Sequence, residues 1–141
     1  MIKLFVTTFS HKAIMRHMLE EYVIYRYVHD IITPASIGKR EGMPLKDKNE
    51  LIKYGMDQYC VKTPLLIDHN PYHVDAAKII GHGYNLDFHN GITVRDVARI
   101  ASIIGRNKVD GIFVGVDDTV FDGRLYDFQC MTCKDGCQLI V

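Results

Sequence analysis

The chain has 141 residues, 48% of them hydrophobic and 24% charged, and its formal net charge is zero. That is the length of one domain able to bury its own core, with the composition of an ordinary globular protein. Balanced charge without a long basic run argues against a nucleic-acid footprint, and no apolar run approaches the roughly 18 residues of a membrane span. The opening Met-Ile-Lys-Leu-Phe-Val-Thr-Thr lacks the pattern of a secretory signal, so a reducing, cytoplasmic setting is the expectation.

In chain order, residues 2–7 read as a strand rich in β-formers, and Ser10 is placed to cap a helix over 11–22 with Ile14, Met18, Leu19 and Tyr22 on one face. A short strand over 29–33 ends at Pro34, and 36–46 reads as loop, punctuated by Gly38, Gly42 and Pro44. Asp47 and Glu50 form a capping-box pattern for a helix to about residue 56. Residues 65–68 are apolar without alternation, the mark of a buried strand. Pro71 opens a helix that ends before Gly81 and turns Val74, Ala77 and Ile80 inward. A strand over 84–88 follows. Thr93 then caps a helix with Val94, Val97, Ala98, Ala101 and Ile104 toward the core, ended by Gly105. Residues 109–116 are the last strand.

This alternation predicts an α/β fold: one doubly wound, Rossmann-like parallel sheet with helices on both faces. Ligands of such sheets collect beyond the carboxyl ends of the strands. Thr8, Asp68 and Asp117 all fall at or just after strand ends, so three polar groups are expected on one rim.

Residues 112–123, Ile-Phe-Val-Gly-Val-Asp-Asp-Thr-Val-Phe-Asp-Gly, run from an apolar strand into an acidic, threonine-bearing loop. This segment resembles the first motif of the haloacid dehalogenase-like (HAD) phosphatases, Asp-x-Asp-x-Thr. In that alignment Asp117 is the second aspartate and Thr119 the threonine, while the first aspartate, the family's nucleophile, falls on Gly115. The stretch from Leu66 to Lys78, Leu-Ile-Asp-His-Asn-Pro-Tyr-His-Val-Asp-Ala-Ala-Lys, resembles the fourth motif, with Asp68 matching a metal-binding acid and His69 standing where a second aspartate is common. Phe5-Val6-Thr7-Thr8 is similar to the second motif, with Thr8 on the phosphoryl group and Thr7 one register away. Lys39 matches the third-motif lysine, in competition with Arg40 and Lys46.

The motifs run second, third, fourth, first, which reads as a circular permutation cut between the first and second motifs. The resemblance implies a HAD-like core over 1–122 and a cysteine-containing tail over 123–141 on or near the site rim. It also implies magnesium held by Asp117 and Asp68, with His69 a further candidate ligand, and phosphate bound by Thr8, Thr119 and Lys39. Catalysis would fall to Asp117, Thr8 and Lys39.

A phosphoaspartate mechanism needs a carboxylate nucleophile and a second acid for the leaving group. Gly115 supplies neither, so the expectation is a phosphatase-type fold that binds a metal and a phosphoryl ligand without ordinary turnover. Two alternatives stand beside it. One is an active magnesium-dependent phosphomonoesterase in which Asp117 attacks; the other is a non-catalytic interaction module. The expected partner is a small phosphorylated molecule or a protein, with no nucleic acid and no membrane.

Cys130, Cys133 and Cys137 give C-x-x-C followed by C-x-x-x-C. Three thiolates supply three of the four ligands of tetrahedral zinc, leaving Cys60 or a histidine to complete the set. The alternative is reduced thiols in a short terminal hairpin.

Overall fold

The computed structural model describes residues 1–87 and 92–116. The strands are β1 (Lys3–Thr7), β2 (Asp30–Ile32), β3 (Pro64–Asp68), β4 (His82–Asn85) and β5 (Gly111–Gly115). The helices are α1 (Lys12–Glu21), α2 (Asn49–Tyr59), α3 (Pro71–Ala77) and α4 (Val94–Asn107), with short 3-10 turns at Tyr25–Tyr27 and Pro34–Ile37. All five strands are parallel and lie in the order β2-β1-β5-β3-β4. The last of the described strands in sequence is thus the central one.

Period-two alternation sorts the strand side chains between two faces. Phe5, Leu66 and Phe113 pack on one face with Leu51 and Ile52 of α2 and Ala77 of α3. On the other face Val6 meets Met15 and Leu19 of α1, while Leu65, Ile67 and Ile112 meet Ile100, Ile103 and Ile104 of α4. Helices on both faces bury a parallel sheet as its near-continuous apolar strands require. Gly55 lets α2 approach closely, because a Cβ there would stand 2.6 Å from the Phe113 ring. Among the described residues no helix is long and apolar enough to cross a membrane.

Several local expectations need correction. Ser10 does not cap α1: its N–H is bound by the Thr8 hydroxyl at 3.0 Å, and His11 is the N-cap without a side-chain bond. Met15 rather than Tyr22 completes the buried face. Tyr22 lies beyond the helix, 65% exposed, next to Val23 in the left-handed region at φ 59°. Asp47 does bond a helix-start amide, Asn49 N–H at 2.8 Å, but Glu50 pairs with Lys39 instead of closing a capping box. Helix α2 runs on through Gly55 to Tyr59.

Thr93 caps α4, as the sequence implied, and the structure adds a reciprocal box with Asp96. The inward face, however, is rotated. Val94 and Val97 are exposed, Gly105 lies inside the helix, and Lys108 takes the left-handed cap at φ 53°. Strand β4 covers His82–Asn85, two residues earlier than expected, and residue 88 lies outside the described residues.

Candidate functional site at the carboxyl rim

The loops after β1 and β3 diverge: α1 follows β1 onto one face, and α3 follows β3 onto the other. Between them lies the end of β5. This is the switch-point crevice at which open α/β sheets take ligands.

Thr7 pairs with Gly115 in register, and Asp68 follows Ile67, the partner of Val114. Thr7, Gly115 and Asp68 therefore form one row across β1, β5 and β3. By alternation they point to the same face as Phe5, Phe113 and Leu66 one step below. The middle of the row has no side chain, and the Asp68 carboxylate fills it. A Cβ built on Gly115 would stand 2.1 Å from Asp68 Oδ2 and 2.7 Å from its Cγ. Only glycine leaves room for the carboxylate in this position.

Asp68 is 3% exposed. Its Oδ1 accepts the Asn70 N–H at 3.0 Å and lies 3.4 Å from His69 Nδ1, while Oδ2 lies 3.6 Å from His73 Nδ1. At that distance the His73 contact is electrostatic rather than a formed hydrogen bond, and His73 Nδ1 is buried without a hydrogen-bond partner. The His73 ring stands edge-on to Phe9. Burial pushes the Asp68 carboxyl upward in pKa. The His73 imidazole, the positive charge of Lys48 and the Asn70 N–H together outweigh that push and hold it below the ordinary carboxylate value.

Lys48 is the residue that sequence reasoning missed. It is 1% exposed, donates from Nζ to the Thr7 carbonyl at 3.1 Å, and stands 4.4 Å over the Phe9 ring. Its place follows from local structure: it is the N-cap residue of α2, whose first turn abuts the strand ends. A buried ammonium is costly unless an opposite charge and hydrogen bonds offset its lost hydration. Asp68 and the Thr7 carbonyl supply both. The only signal for it in the sequence was its position at a helix start directly after a capping aspartate.

The other expected residues fall as follows. Thr8 is fully buried at the end of β1, its hydroxyl accepting the Ser10 N–H and its amide bound to the Ile32 carbonyl at 3.1 Å. Thr7, the neighbouring candidate, donates its hydroxyl to the Val114 carbonyl at 3.3 Å. Lys39 is exposed, its ammonium engaged with Glu50 at 2.9 Å. Asp117, Thr119, Cys130, Cys133 and Cys137 lie outside the described residues. Cys60 takes the left-handed cap at the end of α2, at the amino end of the sheet and away from the rim.

Among the described residues no group of three or more histidine, cysteine or acidic side chains is placed to hold a metal. Around the rim they offer one carboxylate, two imidazoles and an ammonium. Magnesium prefers several oxygen ligands, so this set alone does not fit it. No family model matches the chain, and neither does any curated protein or solved structure.

Proposed function

We propose that this chain is a HAD-like domain, circularly permuted, that binds a phosphoryl group at the carboxyl rim of its sheet. The observation that carries the reading is the order of strands. The strand bearing the first-motif-like segment lies between those bearing the second- and fourth-motif-like segments, so segments far apart in sequence meet at one crevice. Lys48 suits the charge-neutralising role that the resemblance gives to a lysine, because its ammonium is already at the strand ends and Lys39 is paired on the surface. Thr8 suits the hydroxyl role. By the resemblance, a magnesium ion would rest on Asp117 together with Asp68. A nucleophile borne by residue 115 is incompatible with this packing, since the space belongs to Asp68.

The reading is tested by titrating the protein with inorganic phosphate, with and without magnesium, while following the backbone amide shifts of Thr8, His69 and Gly115. Saturable shifts at these three are expected. A Thr8→Val variant should bind about tenfold more weakly, the equivalent of one hydrogen bond to a charged group. An Asp117→Asn variant should lose the magnesium dependence. Shifts confined to other surfaces, or none at all, would sink the proposal.

A further inference from the structure

We propose that Asp68 is the phosphoryl acceptor of this site, its carboxylate having taken from the neighbouring strand the place left open at Gly115. This rests on the reading above, that the rim binds a phosphoryl group, and goes beyond it by assigning a reacting atom.

Three observations carry it. First, the overlap is specific. Asp68 Oδ2 lies 2.1 Å from where a Cβ of residue 115 would stand, so the carboxylate occupies the root of that missing side chain rather than merely approaching the rim. Second, the group is held in position. The Asn70 N–H fixes Oδ1 at 3.0 Å, the Asp68 carbonyl is itself bound by Leu86 N–H at 2.9 Å and the Asn85 amide at 3.2 Å, and β3 is paired on both sides. A carboxylate on a rigid element with fixed rotamer is what nucleophilic attack requires. Third, cationic and imidazole groups line its surroundings, with the Lys48 ammonium on the Thr7 carbonyl at 3.1 Å and His73 Nδ1 3.6 Å from Oδ2. The same ammonium is placed to meet the charge of an incoming phosphoryl oxygen.

The chemistry closes with a phosphomonoester and water alone. Asp68 Oδ2 bonds to phosphorus as the bond from phosphorus to the leaving alcohol oxygen breaks, and that oxygen takes a proton from solvent. Water then adds to phosphorus, the Oδ2–phosphorus bond breaks, inorganic phosphate departs, and a proton returns to solvent. A group as covered as Asp68 meets only a ligand that enters the rim itself, so labelling tests entry as well as reaction.

The experiment incubates the full chain with isotopically labelled acetyl phosphate, whose acetate leaving group needs no proton, with and without magnesium. The labelled residue is mapped by borohydride reduction and peptide mass spectrometry. A hydroxylamine-labile label on Asp68 is expected. It should be lost in Asp68→Asn, and in the Gly115→Asp/Asp68→Gly double variant it should move to position 115. Mapping in the unsubstituted chain keeps the test decisive even where a variant folds poorly. Label on Asp117 would overturn the assignment and leave phosphoryl handling intact. No label, with inorganic phosphate still shifting the rim amides, would make Asp68 a buried counter-ion of Lys48 and overturn it equally. No label and no phosphate binding would remove both readings.

Discussion

At the amino end of β5, Asp110 accepts N–H bonds from Lys62 at 3.0 Å and Thr63 at 2.8 Å, and its carbonyl receives the Lys3 amide. At the carboxyl end of the sheet, among the described residues, Asp68 accepts the Asn70 N–H and lies beside the side chains of His69, His73 and Lys48. In both, burial raises the carboxyl pKa and the neighbours bring it below the ordinary value. The means differ. Asp110 is served mainly by backbone amides, with the Lys3 charge a smaller aid, which is the work of a loop staple. Asp68 is served by ionisable groups, of which Lys48 is fully buried and His69 and His73 are partly buried. A fold does not need such a cluster to terminate a strand, and Asp110 shows how cheaply strand ends are satisfied.

The sharpest way to break this comparison is to remove the charges. Lys48→Met leaves Asp68 buried without its cation and is expected to cost about 3–5 kcal/mol in urea unfolding, much of it recovered by adding Asp68→Asn. Asp110→Asn should cost only about 1 kcal/mol, the scale of backbone-directed hydrogen bonds. Equal losses at the two ends would mean that the rim cluster is an ordinary structural staple.

Next in size is the overlap at the centre of the row. Gly115→Ala drives a methyl into the Asp68 carboxylate, and the expected loss is about 1–3 kcal/mol, as for overpacked cores. Adding Asp68→Ala should restore most of it. A Gly115→Ala protein as stable as the parent would show that Asp68 swings aside at little cost, and the transposed carboxylate would lose its geometric basis.

The sequence carried much of the fold because parallel strands buried on both faces leave an unmistakable trace: the run over 65–68, expected as a buried strand, falls within β3, whose residues are all buried. The inward face of α4 was misread because its apolar contacts with the sheet come from the second half, along a rotated stripe. Ile100, Ile103 and Ile104 reach the sheet, while Val94 and Val97, which continue the same periodicity, do not. Periodicity registers an apolar stripe but not where a helix leaves the sheet. At the site, Thr8 and Asp68 were legible as polar residues at strand ends. Lys48 was hidden in the polar run Lys46-Asp47-Lys48-Asn49, where burial depends on how α2 meets the sheet. Gly115 stood out only through the resemblance, which expects an acid there. That Asp68 fills its space is a contact between residues far apart in the chain, and no local pattern encodes it.

The smallest expected effect is acid sensitivity, and it sharpens the comparison because both aspartates shift in the same direction. A carboxyl whose folded pKa is depressed contributes stability that is fully present above its unfolded value, about 4, and is lost as pH falls through the folded value. Unfolding free energy measured from neutral pH down to about pH 3 should therefore fall less steeply in Asp68→Asn and in Asp110→Asn than in the parent. Salt separates the two. Interactions among buried charges are screened little, whereas exposed ones weaken as ionic strength rises. The part of the acid slope removed by Asp68→Asn should persist at high salt. A slope unchanged by Asp68→Asn would mean that its carboxyl enters the fold already protonated, and a neutral group there would neither balance Lys48 nor attack phosphorus.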